Sequence, residues 1–354
     1  MGRTQTCDIL VVGAGPAGCS AALAARAKGL DVILCEKKPV VGLPVRCAEH
    51  IPALLRLETR IDSSSVVQAV KGMRTVLPDG TSFETAAPGY MIRRDLFDQA
   101  LAEHCREQGA EIITAARAVE KDGRDVILAK KNGETLRIRP AVIIGADGPR
   151  STVGRWMGSV NRDLVPALQA RVRLLEPMDV TEVYFLKEIF GGYGWLFPRG
   201  SQANAGLGMR QSGSTRPIRE VFRVFLAFLA ETGKIEVRIK GYMAGWIPVR
   251  PCPVTVFENM ILAGDAAGQT HPITGAGVPQ AVVCGRMAGE WAAKAASEAD
   301  TALLKGYEEE WKDLYGESLE RGVQRREMME RHWDRFEEIL PFCWVGFRDY
   351  YGRL

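Results

Sequence analysis

Three glycines, Gly13, Gly15 and Gly18, stand in the run Gly-Ala-Gly-Pro-Ala-Gly, a spacing that suits a phosphate. Asp8-Ile-Leu-Val-Val12 before them is a short apolar run and reads as a buried parallel strand. The Ala-rich stretch Cys19–Lys28 reads as a helix closed by Gly29, and Leu30–Cys35 as a second strand ending at Glu36. Each glycine then has a role: Gly13 permits a tight turn, Gly15 lets a pyrophosphate approach the backbone, and Gly18 lets helix pack on strand. Ala17 lies in the helix's first turn, where free N–H groups and the dipole favour an anion. Glu36 can hold ribose hydroxyls. The unit predicts dinucleotide binding; the plainer alternative is a glycine-rich turn in a sheet without a ligand.

Two later segments bear on which dinucleotide it is. Pro140-Ala-Val-Ile-Ile-Gly-Ala runs into Asp147-Gly148, and Met260-Ile-Leu-Ala-Gly runs into Asp265. An aspartate at a strand's carboxyl end can accept from ribityl hydroxyls. His271-Pro-Ile-Thr-Gly275-Ala-Gly277 follows, then an Ala-rich helix whose N-terminus can face a flavin's pyrimidine edge or its phosphates. One Gly-Asp pair is chance-level, but the ordered set of three motifs predicts FAD.

This ordered set resembles the flavoprotein superfamily of para-hydroxybenzoate hydroxylase and, within it, the geranylgeranyl reductase family. Gly192-Tyr193-Gly-Trp195-Leu-Phe197-Pro198 is similar to that family's Y-x-W-x-F-P box, and Gly42-Leu-Pro-Val-Arg46-Cys47-Ala-Glu49 to its segment with a cysteine beside the flavin. His50 stands where the family more often has a small residue. Arg94 matches the superfamily position where an arginine contacts FAD. The resemblance implies an α/β fold: a Rossmann-like FAD-binding domain, an inserted antiparallel β-sheet substrate domain and a C-terminal helical region. It implies FAD-dependent reduction of carbon–carbon double bonds in an isoprenoid or other apolar substrate. A flavin monooxygenase or halogenase, and a non-catalytic prenyl-lipid binder, are the competing readings on the same fold.

The elements that must position these residues follow from pattern. Residues 1–70, 90–160 and 250–298 are assigned to the cofactor domain, with a helix that the run Tyr90–Phe97 starts and that reaches about Gln108, and an Asn132-Gly133 hairpin. Residues 71–89 and 161–249 are assigned to a β-rich domain; 71–89 reads as short strand-like pieces, and strands are expected near 169–175, 182–186, 193–197, 203–209 and 235–239. Tyr193, Trp195 and Phe197 alternate and so share one sheet face, either as a core stripe or as the apolar wall of an elongated substrate cavity. Residues 299–354 read as helical and end in a tail crowded with Phe342, Trp344, Phe347, Tyr350 and Tyr351. That tail suits a cap on the substrate tunnel, a bilayer contact or a subunit contact.

Composition sets the outer bounds. In 354 residues, 46 Lys+Arg against 43 Asp+Glu leave +3, too little for a nucleic-acid surface. The 8 cysteines form no CxxC pair, which argues against zinc or iron–sulfur sites, and the thiols in apolar runs suit a reducing cytoplasm. No run reaches the ~18 apolar residues of a membrane span, which leaves peripheral contact as the way to meet a bilayer. Reduction of an unactivated alkene needs a nearby proton donor or an ordered water besides the flavin. Cys47 and Tyr193 are the candidates, although thiol and phenol protons are weakly acidic; Cys47 also reads as a plain structural thiol. Arg46 is placed either against a pyrophosphate headgroup or in solvent. NAD(P)H and ferredoxin are the candidate electron donors, since no second GxGxxG unit is present.

Overall fold

The apolar run expected of a buried strand lies at the middle of a parallel sheet. In the computed structural model, which describes residues 4–239 and 241–352, the chain runs β1 (Thr4–Val12), α1 (Pro16–Ala27), β2 (Val32–Cys35), β3 (His50–Pro52), β4 (Val66–Val76), β5 (Ser82–Ile92), α2 (Arg94–Glu107), β6 (Glu111–Ile113), β7 (Ala116–Asp122), β8 (Asp125–Lys130), β9 (Thr135–Gly145) and α3 (Thr152–Trp156). It continues through β10 (Leu164–Leu174), β11 (Thr181–Tyr184), β12 (Tyr193–Arg199), β13 (Gln202–Gly208), α4 (Ile218–Glu231), β14 (Ile235–Glu236), β15 (Tyr242–Pro248), β16 (Val256–Phe257), β17 (Met260–Leu262), α5 (Val278–Ser297), α6 (Lys305–Arg331) and α7 (Phe336–Cys343). The architecture is α/β, with two sheets and a helical C-terminal region.

The first sheet orders its strands β16-β17-β9-β1-β2-β6, with the β7–β8 hairpin joined at β9. Its parallel centre, β9-β1-β2-β6 with β17, is buried on both faces, which explains the unbroken Val/Ile/Leu runs. Helices α1 and α5 cover one face together. Their contact is close because Gly285 and Gly289 stand against the backbone of Ala17 and Ala21, where any Cβ would overlap the carbonyls. The carboxyl ends of β1, β9 and β17 thereby deliver Gly13, Asp147 and Asp265 to one edge, the place where open α/β sheets bind ligands.

The second sheet runs β14-β10-β13-β12-β11-β4-β5-β3, with β15 paired to β10. It is mainly antiparallel, but β11 pairs with β4 in parallel. Strands β3, β4 and β5 belong to it throughout, so the stretch 50–92 pairs with this sheet although pattern reading assigned most of it to the cofactor domain. The 71–89 pieces are in fact parts of two 11-residue strands, bent at register shifts near Val66 and Val70. Strand β15 was not expected at all. One face of this sheet packs on α4 through Leu196, Ala205, Leu207, Phe222 and Phe225. The opposite face carries Tyr193 and is covered by the C-terminal tail: Phe336, Leu340, Trp344 and Tyr350 form one buried cluster with Val183, Phe185 and Ile273. Trp344, Phe347 and Tyr350 therefore pack on the chain's own sheet, while Phe342 and Tyr351 stay exposed. No described helix is long and apolar enough to cross a membrane.

Candidate active site

At the phosphate end the three glycines are distinguished by their surroundings. A Cβ on Gly13 (φ 106°) would overlap the Ala146 carbonyl, and one on Gly18 would overlap the Gly13 carbonyl, so both are required by packing. Around Gly15 there is open space on that side, where a phosphate can approach. Glu36 is held rigid by N–H bonds from Ala14 (3.0 Å) and Lys38 (2.9 Å). A cleft of about 130 Å³ joins Gly15, Glu36, Lys38, Arg46, Arg94 and Asp98. Arg46 is exposed at its edge, and Arg94 reaches in from the first turn of α2. Arg94 and its neighbour Arg93 differ in their partners. Arg93 is exposed and pairs with Asp95 (2.8 Å), whereas Arg94 makes two 3.1 Å bonds to Asp98. Burial opposes the Arg94 charge, but Asp98 and the nearby Cys47 sulfur outweigh it and hold its pKa above the usual value.

The two Gly-Asp ends differ. Asp147 accepts from Ser151 Oγ (2.5 Å) and Thr152 N–H (2.6 Å), so its oxygens are engaged in starting α3. Asp265 accepts only from Thr270 Oγ1 (2.9 Å) among the described residues, leaving Oδ2 unengaged. Burial raises both carboxyl pKa values against those hydrogen bonds. Gly277 lies beside Asp265, where an added Cβ would stand 3.1 Å from Oδ1. Gly275 has φ 66°, a left-handed turn that suits glycine. The 271–277 loop is fastened from outside. His271 Nδ1 accepts from Thr274 N–H (3.2 Å), its Nε2 meets Tyr350 Oη (3.1 Å), Arg326 donates to Pro272 O (3.0 Å), and Tyr193 Oη donates to Thr274 O.

Across the second sheet the site residues form three rows. Tyr193 faces Gly208 and then Ala167; Trp195 faces Gly206 and then Gln169; Phe197 faces Asn204 and then Arg171. The rings lie 6.1 and 6.3 Å apart, a continuous aromatic row. Gly206 is what lets the indole lie across β13, since a Cβ there would stand 2.5 Å from the ring. Trp195 Nε1 then donates to Gln169 Oε1 (2.8 Å), and Gln169 Nε2 donates to the Cys47 carbonyl (3.2 Å). Sequence reasoning missed Gln169, Asn204 and Arg171; their alternation with the apolar residues of β10 and β13 was the available signal. Tyr193 and Trp195 line a cavity of about 30 Å³ with Ile247, Pro272, Gly275 and Arg326. Phe197 is not among its lining residues, and the volume is a fraction of a twenty-carbon chain. This cavity is small rather than the elongated one expected from the alternation, and Trp344 packs 5.3 Å from Tyr193 and 5.0 Å from Phe185 on that face. Burial pushes the Tyr193 phenol up, which with its bond to Thr274 makes it a poor proton donor.

The residues present fit an FAD: an approachable glycine turn, an acid at the second strand's end, an inward arginine and an aspartate with a free oxygen at one sheet edge. A family model described as an FAD binding domain matches residues 55–321, and another of the same description matches 8–84. The chain is similar to the digeranylgeranylglycerophospholipid reductases of Methanosarcina acetivorans (37% identical, covering 97% of this chain and 86% of the relative) and Methanopyrus kandleri (34%, 91% and 90%). Among solved structures it is similar to a geranylgeranyl bacteriochlorophyll reductase-like protein from Thermoplasma acidophilum, with TM-score 0.84, 27% identity and coverage of 95% and 92%. A flavin-dependent halogenase shares the fold at TM-score 0.76 and 17% identity, over 95% of this chain and 68% of its own. The chain is thus an FAD-dependent oxidoreductase and belongs to the digeranylgeranylglycerophospholipid reductase family.

Proposed function

We propose that the protein saturates carbon–carbon double bonds in the prenyl chains of a lipid. The observation that carries this reading is the match, over nearly the whole chain, to relatives named for that reaction, joined to an aromatic row at the cofactor edge. Bound FAD supplies the reducing equivalents. Gly13, Gly15, Ala17 and Gly18 would seat its pyrophosphate, Glu36 its ribose, and Asp265, Gly275 and Gly277 its flavin end, with Arg46, Arg94, Asp147 and Gly148 along the way.

The chain's own groups then orient the alkene and exclude water. Trp195 and Tyr193 form the wall; a prenyl chain gains ~0.8 kcal/mol per CH₂ taken from water, so few polar anchors are needed. The Cys47 sulfur accepts from Glu49 N–H (3.2 Å), which leaves the thiol proton free for the alkene carbon that does not take the hydride. Tyr193 instead holds the 271–277 loop. Entry of a chain requires the tail side chains over the sheet to give way. An apolar substrate also implies contact with a bilayer, for which the exposed Leu54 and Leu57 supply surface.

The test is anaerobic incubation of the FAD-loaded protein with dithionite and a geranylgeranyl lipid. The expected product is heavier by two hydrogens per double bond. Bound lipid without any mass gain would leave the non-catalytic binder, and NAD(P)H-linked oxygen consumption in a separate aerated assay would favour the oxygenase. Bleaching of the flavin by NADH, NADPH or reduced ferredoxin, tried in turn, identifies the donor.

A further inference from the structure

Glu49 is a carboxylate with no role in the reading above, yet it is among the most enclosed charges in the protein, 1% exposed. Its backbone sits at φ 69°, a region that non-glycine residues rarely adopt. Four groups hold it there. Arg171 Nη2 (2.6 Å), Arg199 Nη1 (2.9 Å) and Asn204 Nδ2 (3.0 Å) converge on Oε2, and the Arg94 N–H reaches Oε1 (3.2 Å). The main chain is tied as well: Ile92 N–H donates to Glu49 O (2.8 Å), and Asn204 Nδ2 also donates to Ala48 O (3.0 Å).

These partners come from three places that the reaction must keep in register. Arg171, Arg199 and Asn204 lie on β10, β12 and β13, the strands that carry the aromatic row and its polar neighbours. Arg94 starts α2 and lines the cofactor cleft. Cys47 is two residues before Glu49, and its sulfur accepts the Glu49 N–H (3.2 Å) while its carbonyl accepts from Gln169, the partner of Trp195. These bonds converge on the one short segment that carries the half-buried thiol.

We propose that Glu49 is the positioning residue for Cys47: its buried carboxylate locks residues 47–49 to the aromatic sheet and to the first turn of α2, and so sets the thiol's place between cofactor and substrate wall. This rests on the reading in which Cys47 meets the substrate. A buried charge with several fixed partners holds one geometry, and a displacement of about 1 Å at a reacting group can lower turnover by roughly a hundredfold.

The experiment uses the FAD-loaded protein with Glu49→Gln. Arg171→Met is the second variant, because it loosens the same clamp while Arg199 still compensates the carboxylate, should Glu49→Gln fail to fold. Cys47 is half-buried while the other seven cysteines are buried, so its iodoacetamide alkylation can be followed by mass spectrometry independently of turnover. Either variant should retain FAD, alkylate Cys47 several-fold faster or slower, and lose roughly tenfold or more in kcat with a smaller change in KM. Combined with Cys47→Ala, the added loss from Glu49→Gln should disappear. Unchanged alkylation in a folded variant, or losses that simply multiply in the double variant, would overturn the proposal. Full turnover in Cys47→Ala alone, with alkylation still altered in Glu49→Gln, would refute the substrate role of Cys47 and leave the clamp standing.

Discussion

Asp265 and Cys47 both lie near Arg94, but their partners differ. Asp265 has one carboxylate oxygen unengaged within the chain, next to Gly277. Cys47 is held by backbone and Gln169 bonds, with its sulfur toward Arg94. Asp265→Ala should therefore release flavin readily, since a hydrogen bond to a charged group contributes roughly 1.5–3 kcal/mol. Cys47→Ala should keep its flavin and lose turnover. Absorbance at the flavin band after gel filtration checks the pair; equal retention with normal turnover in Cys47→Ala would refute both assignments. Two histidines make a separate prediction. Burial holds the His50 and His271 imidazoles at about 4, below the 6.5 of an unperturbed group. Native protein then binds fewer protons than the unfolded chain between those values. Stability is therefore full above about pH 6.5 and falls as pH drops toward 4, by at most about 3 kcal/mol per histidine. His50 Nε2 has no partner among the described residues. Urea unfolding of His50→Asn should accordingly show a smaller loss between pH 7 and pH 5 than the wild type.

Helix α5 illustrates how an element can contradict its own propensity. Ala favours a helix interior by ~1 kcal/mol over Gly, so Gly289→Ala would stabilise an isolated helix. Here a methyl would overlap the Ala21 carbonyl and force α5 away from α1. We expect Gly289→Ala to lower the melting temperature, and Gly285→Ala, nearer the start of α1, to weaken flavin retention as well. A melting point raised by Gly289→Ala would refute this account of the contact. Legibility from sequence follows the same division between local and distant causes. The glycine turn, the Asn132-Gly133 hairpin and the aromatic alternation are local and were readable. Strand β15 was not, because Gly245 and its terminal Pro248 lower β propensity and pairing with β10 alone makes it a strand. Strands β4 and β5 looked fragmented because Gly72, Pro88 and Gly89 interrupt them, although the ladder continues. The Glu49 clamp joins residues 122 positions apart, and no periodicity in either segment announces that.

At the scale of the molecule, two sheets meet at the cofactor edge and the C-terminal tail closes one face of the second. The tail is firmly seated: Trp344 is 1% exposed, donates to Thr75 Oγ1 (2.9 Å), and packs on Tyr193 and Phe185, while Phe347 lies 4.6 Å from Phe83. It also reaches the 271–277 loop through Tyr350 and His271. Two consequences follow from this one placement. The tail contributes to stability as core, so Trp344→Ala should cost about 3–5 kcal/mol, the range for truncating a large buried aromatic. It also packs against Tyr193, which lines the small cavity, so the same truncation makes room beside Tyr193 where a chain would lie. Denaturant unfolding measures the first effect. For the second, turnover of a twenty-carbon prenyl substrate is compared with that of a longer one. Trp344→Ala should shift the ratio toward the longer chain, whereas Trp344→Phe, which keeps most of the ring volume, should leave it nearly unchanged. An unaltered ratio in a folded Trp344→Ala protein would mean that the substrate does not run along this face, and that the aromatic row serves as core for the tail alone.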